Sequence, residues 1–460
     1  MKKILISLSI IFLAFSASAT NNAEQKESKS EVKQHLQNHF KLYGFIRNYF
    51  VFDSRDSKAG TGDLFYYLPL DNKWNTTDVN NPAREDLNAS PNFRFLALTS
   101  RVGLDVNGYY YNNVHFGAKV EADFYAGLGK ASTVNGLSGN TNVSGTAQMR
   151  LRQAYATVAW KNLPLNGEQK AEVGLKIGQA WHPMAADIPH LFSLEAGAPF
   201  GPFSRTPQVT MDAALGKNWV LSASAIWQMQ YQSSGPSGSS AAYMKYGCTP
   251  EMYIGLTYKK GGFLGRVGAD VLSIKPRNIG KNADGLDVHV KDRKTSLLYY
   301  AYLQYNKDLF SFKAKTTYGE SGEHMNLMSG YAVVDKTDPT DWKYASMRSS
   351  SSWVSFSYGK KWQGVFFAGY VKTFGLADAA SAPLASSDVY FCGNGSSNIN
   401  QMYRINPQGL YNFGKFTLGL EYQWTSVQYG TGALNEYAKV AKDLHWVGNH
   451  RVNMMVKFTF

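Results

Sequence analysis

Apolar and polar residues alternate with a period of two through most of this chain. Between Val114 and Tyr125, the residues Val114, Phe116, Ala118, Val120, Ala122 and Phe124 share one parity. His115, Lys119, Glu121, Asp123 and Tyr125 share the other. Strand side chains alternate between faces, so the pattern predicts a strand with one apolar and one charged face. Its length is informative, because soluble strands average about six residues whereas a tilted strand crossing a bilayer needs about ten. The final segment repeats the design. Val452, Met454, Val456, Phe458 and Phe460 oppose Arg451, Asn453, Lys457 and Thr459, and only Met455 breaks the order. Leu96, Leu98, Val102, Leu104 and Val106 oppose Thr99, Arg101 and Asp105, and Phe416, Leu418, Leu420, Tyr422 and Trp424 oppose Thr417, Glu421, Gln423 and Thr425. Trp219 to Tyr231 is a further case, with Trp227, Met229 and Tyr231 continuing its apolar face.

Such segments number roughly sixteen, an even count as single-chain bacterial barrels require. They fall near 40–53, 93–107, 113–126, 146–160, 171–182, 206–215, 218–232, 249–260, 263–275, 295–306, 309–322, 348–359, 362–374, 400–412, 416–429 and 446–460. Connections between them alternate long and short. The long ones run 54–92, 127–145, 183–205, 233–248, 276–294, 323–347, 375–399 and 430–445; short ones include Gly216-Lys217 and Gly261-Gly262. Short periplasmic turns with long external loops are the asymmetry of outer-membrane barrels. The expectation is an all-β transmembrane antiparallel barrel over 40–460. Closure is dictated by the solvent: hydrocarbon satisfies no backbone N–H or C=O, so an open sheet edge is not tolerated there.

The remainder of the chain fits this reading. Met1-Lys2-Lys3, an apolar run from Ile4 to Phe15 and Ala17-Ser18-Ala19 read as a signal peptide over 1–19. Residues 20–39 are polar and mixed in charge, and read as a short periplasmic extension. Two cysteines, Cys248 and Cys392, fall in expected loops of a protein sent to an oxidising compartment. An inter-loop bridge and two separate thiols are both open.

The formal charge is +13. Nucleic acid fits poorly with export, and the chain has no short Lys/Arg-rich block. The basic residues Arg47, Arg101, Lys119, Arg150, Arg152, Lys176, Arg404, Arg451 and Lys457 fall on the polar parity, with the acids Asp105, Glu121, Asp123 and Glu421. A barrel of about sixteen strands encloses an aqueous lumen. Basic side chains lining it favour small anionic solutes, the alternative being that the charges pair with one another and brace the wall.

The connection 183–205 is rich in Pro, Gly and Phe and less polar than an exposed loop. It predicts a loop folded into the barrel as a constriction, with His182, Asp187, His190, Glu195 and Arg205 as its functional side chains and with Asp187 and Glu195 turned toward the arginines. The spacing of His182, Asp187 and His190 matches no zinc arrangement, so no metal and no cofactor is expected. Ser193 after His190 lacks G-x-S-x-G and a third partner, so an outer-membrane hydrolase is a minor alternative. The other alternative is a barrel that anchors surface loops for adhesion.

From Phe40 to Phe460 the chain resembles Gram-negative outer-membrane porins. The segments FKLYGFIRNYFVFD, QMRLRQAYATVAW and GLKIGQAWHP resemble DcaP-type porins. The resemblance implies a homotrimer in the outer membrane that takes up small dicarboxylates and similar anions, without enzymatic activity. It also implies that the strand ending at Phe460 is read by the barrel-assembly machinery.

Overall fold

The structure, a computed structural model, describes residues 39–60, 65–97, 99–125, 148–164 and 170–460. The expected signal peptide, almost all of the extension 20–39 and the connection 127–145 lie outside the described residues.

Sixteen strands form one closed antiparallel barrel. They are β1 (Phe40–Asp53), β2 (Asn92–Leu96 with Arg101–Tyr111), β3 (Val114–Tyr125), β4 (Gln148–Pro164), β5 (Lys170–Trp181), β6 (Arg205–Leu215), β7 (Trp219–Ile226) and β8 (Glu251–Lys260). The second half is β9 (Phe263–Ile274), β10 (Lys294–Lys307), β11 (Phe310–Glu320), β12 (Lys343–Gly359), β13 (Trp362–Leu376), β14 (Ile399–Phe413), β15 (Phe416–Leu434) and β16 (Val440–Thr459). Each pairs with its sequence neighbour, and β1 pairs with β16 from Phe45↔Thr459 to Asp53↔Arg451, which closes the ring.

The parity read from the sequence is the parity of the wall. Phe116, Val120 and Phe124 are exposed outward, whereas Glu121 and Asp123 are buried inward. Leu418, Leu420, Tyr422 and Trp424 face outward while Glu421, Gln423 and Thr425 are buried. The exposed apolar band is what hydrocarbon requires, since a mid-plane Lys or Arg on that face costs about 2–4 kcal/mol. Met455 is inward and 2% exposed, in a small cluster with Tyr49, Val51, Leu96 and Phe192. It breaks the alternation because at that spot the inner wall meets protein.

Three boundaries differ from the sequence reading. β7 ends at Ile226, not near 232, because the next partner on β6 is Pro207, whose ring nitrogen carries no hydrogen to continue the ladder. Trp227 N–H donates to the Pro207 carbonyl (2.9 Å), after which the regular ladder ends and only the Gln230 amide still reaches β6, at the Arg205 carbonyl (3.4 Å). β2 has two parts, ending at Leu96 and resuming at Arg101, and both of these residues face inward, so Leu96 leaves the apolar outer face it was assigned to. The last external connection shrinks from 430–445 to 435–439, because β15 and β16 run on as a hairpin above the barrel rim.

The long connections lie at one end of the barrel and the short turns at the other. The long ones in question here are L1 (54–91), L3 (182–204), L4 (227–250) and L6 (321–342). L1 and L3 enter the barrel. Phe65, Tyr67 and Leu68 of L1 and Met184, Phe200 and Phe203 of L3 pack with the wall residues Tyr300, Tyr302, Trp353 and Phe367 in the largest buried cluster. Gly369 on β13 makes room for this: a Cβ there would lie 2.4 Å from the Phe200 ring. Cys248 is exposed and Cys392 buried, and both are free thiols.

Candidate functional site: the lumen and its inward loop

The inner wall of β1 to β4 carries a charged ladder set by register. Arg101 lies opposite Asp123, and Asp105 opposite Lys119, on β2 and β3. Arg150 lies opposite Asp123 on β4 and β3. Side chains directly opposite on one face are within reach, so register places cation beside carboxylate. Arg150 grips Asp123 through two bonds of 2.9 Å. Arg152 bridges Glu121 at 2.7 Å and Asp123 at 2.6 Å, and Arg101 reaches Glu121 at 3.6 Å. Lys119 pairs with Asp105 at 2.9 Å and donates to the Tyr43 hydroxyl, which donates to Glu121; both hydrogen bonds are 3.1 Å. The Tyr43 ring reaches across β2 only because Gly103 lies beneath it, where a Cβ would fall 2.3 Å from the ring. The Arg101, Lys119 and Arg150 side chains keep about a quarter of their surface accessible.

A second group of cations has no carboxylate. Arg47 on β1 donates to Thr99 at 3.2 Å and lies over the Phe45 and Tyr49 rings at 4.8 and 5.1 Å. Lys457 is its direct neighbour on β16 across the closing seam. Lys176 on β5 lies 5.9 Å from the Tyr155 ring. Among the described residues, none of these three is within ion-pair distance of a carboxylate, and all are half-buried on the inner wall.

L3 covers the lumen from β9 round to the seam between β16 and β1, and the loop is fastened along its length. Lys315 donates to the Met184 carbonyl at 2.8 Å, and Lys313 to that of Ile188 at 3.2 Å. Asp187 forms an ion pair with Arg266 on β9. His190 meets Ser311 at 2.9 Å, while its amide donates to Ser355 at 3.1 Å. The Phe192 carbonyl accepts from Tyr49. Glu195 is clamped by Arg404 at 3.1 Å and Arg451 at 3.3 Å. Burial and the nearby Lys313 ammonium push the His190 imidazole down to about 4, so this ring adds no charge to the lumen near neutral pH.

These contacts sort the residues singled out in the sequence. Arg47, Arg101, Lys119, Arg150, Lys176 and Lys457 line the accessible inner wall, and Arg152 lies just beneath it, largely buried. Arg404 and Arg451 also point inward but are sealed at 1% and 5% exposure. Arg451 additionally binds Asp53 at 2.7 Å and the Tyr66 carbonyl, so both arginines secure L1 and L3. Glu195 and Asp187 do face arginines. Arg205 is buried against the Trp181 and Phe203 rings at the outer end of β6. His182, Asp187 and His190 diverge to Glu251, Arg266 and Ser311, so they form no common site. Ser193 is buried, its hydroxyl has no hydrogen-bond partner, and His190 is engaged with Ser311 instead. Sequence reading missed Arg266, Lys313 and Lys315, although the same alternation places them inward in FLGRVGAD and FSFKAKTTY.

The chain superposes on the outer membrane channel DcaP of Acinetobacter baumannii with a TM-score of 0.61, covering 92% of this chain and 97% of that one. This is the fold of the outer-membrane porins. Sequence identity over that porin is 17%, so the likeness is one of architecture. The anion-selective porin of Comamonas acidovorans is more distant, at 10% identity and a TM-score of 0.49 over 92% of this chain and 99% of its own. No protein-family model and no curated protein matches the sequence. Within the porin fold, the arrangement described is a wall of accessible cations and a loop pinned from β9 round to the seam.

Proposed function

We propose that the chain forms a passive diffusion channel in the bacterial outer membrane, assembled as a homotrimer, with preference for small anions such as carboxylates and dicarboxylates. The observation that carries this reading is the uncompensated pair Arg47 and Lys457 at the seam, with Lys176 further round the wall. Unlike Arg150 and Arg152, these cations make no ion pair among the described residues, and Asp123 and Asp212 reach Arg47 and Lys176 only at longer range. In a low-dielectric wall such charges raise the local concentration of counter-ions and select by sign. The Asp187 and Glu195 carboxylates of L3 are neutralised by arginines, so they do not oppose that field. The DcaP structure is described as an outer membrane channel, which agrees with this function.

Purified protein in liposomes should admit sugars and small carboxylates in a swelling assay, and in planar bilayers under asymmetric salt it should show an anion-selective reversal potential. Changing Arg47 and Lys457 together to Ala should move that potential toward zero. Liposomes that do not swell would point to an anchor for surface loops. Swelling with a cation-selective potential would leave the channel and remove the anion preference.

A further inference from the structure

We propose that the root of L3 carries a binding site for one divalent transition-metal ion, with zinc the best fit, held by His182, Glu251 and Asp270, with His324 beside them on Glu251. These residues come from four separate parts of the fold. His182 is the first residue of L3, Glu251 begins β8, Asp270 is on β9 and His324 is in L6. All four are buried, from 0% to 3% exposed. His182 Nε2 lies 3.1 Å and His324 Nε2 2.8 Å from Glu251 Oε1, and His182 Nε2 lies 3.8 Å from Asp270 Oδ1. Zinc bonds of about 2.0–2.1 Å in a tetrahedron place ligand atoms about 3.3 Å apart, and the His182 separations of 3.1 and 3.8 Å to the two carboxylates lie either side of that value.

Charge and unsatisfied atoms point the same way. The ligand oxygens of Glu251 and Asp270 and the His182 nitrogen lie within 4.8 Å of one another. Two buried carboxylates so close need positive charge between them, as a shared proton or as a cation. No lysine or arginine supplies it by an ion pair to either acid among the described residues. Lys294, the buried lysine nearest L6 in the wall, is turned to Ser296 and the Tyr331 ring. Glu251 Oε2, Asp270 Oδ1 and His324 Nδ1 have no hydrogen-bond partner, which a buried polar atom normally finds. A dication balances the two carboxylates, and one imidazole with two carboxylate oxygens, leaving the fourth position to solvent, is a donor set that zinc accepts.

Loading has a defined local consequence. The Met184 amide donates to His182 Nδ1 at 3.2 Å, so in the metal-free form the ring proton is on Nε2 and points at Glu251. Coordination through Nε2 moves that proton to Nδ1, and the Met184 amide must release it. The ion would therefore join L3 to the wall while reshaping the first turn of L3.

The test uses the folded full-length barrel, stripped with a chelator and titrated with Co²⁺ alone. The expected result is one Co²⁺ per chain, with the intense visible absorption of tetrahedral cobalt, displaced by Zn²⁺ and lost in E251Q and H182Q. Absence of stoichiometric binding, weak octahedral bands only, or unchanged binding by E251Q would overturn the proposal. Should the variants not fold, as judged by heat-modifiable electrophoretic mobility, anomalous diffraction at the zinc edge from wild-type crystals decides. A peak between His182 and Glu251 supports the site; no peak, or one elsewhere, refutes it.

Discussion

The contacts of Glu195 show why inward-facing charge and available charge differ. Its carboxylate lies between Arg404 and Arg451, residues 209 and 256 positions away in sequence. Both arginines obey the alternation that marks the inner wall, yet neither is open to a solute. Removing one partner from a buried ion pair costs about 3–5 kcal/mol. Glu195→Gln should sit at the low end, about 3 kcal/mol, because Arg451 keeps Asp53. Urea unfolding in lipid vesicles measures this, and a loss under 1 kcal/mol would mean that the clamp contributes little. The same residues show how much of the site the sequence contained. Parity alone puts Arg47, Arg101, Lys119, Arg150 and Lys457 on the inner face, and applied throughout it would also have found Arg266, Lys313 and Lys315. Which of them remain accessible depends on strand register and on where the loops dock. Both are long-range facts that spacing does not encode.

At the level of strands and loops, the wall answers to two solvents. Val120 lies on the outer face of β3, half exposed to where lipid would be, between the inward neighbours Lys119 and Glu121. Val120→Arg should destabilise the barrel by about 2–4 kcal/mol in bilayers, whereas Lys457→Ala on the inner face should leave unfolding nearly unchanged. Equal losses would mean that the apolar parity is not a lipid contact. Strand positions were legible because each crossing repeats the period-two signal over about ten residues. The end of β7 was not, since Pro207 stops it from the neighbouring strand, and Trp227, Met229 and Tyr231 continue the alternation past the last ladder bond. L3 was recognisable by composition, because a loop rich in Phe and Pro needs apolar cover. Its fastening to Arg266, Lys313, Lys315 and Arg404 was not. Excising about ten residues around His190 should raise single-channel conductance if L3 is the constriction, and an unaltered conductance would place the narrow point elsewhere.

For the molecule as a whole, selectivity follows from the sum of wall charges. Around β2 to β4, Arg101, Arg150 and Arg152 face Glu121 and Asp123, a local excess of one positive charge. Changing Arg150 and Arg152 together to Ala reverses that excess and should shift the reversal potential toward cations by at least as much as the Arg47 and Lys457 double change, because each pair of changes removes two positive charges and the first also frees Glu121 and Asp123. A smaller shift would assign the dominant field to the seam. The seam matters in another way. L3 is tied to the first strand through Tyr49 and to the last through Arg451, with Met455 beneath Phe192. These anchors become neighbours only when the ring is complete. The docking of L3 is therefore among the final events of biogenesis, and a molecule halted before its two ends meet would hold that loop by only part of its fastening.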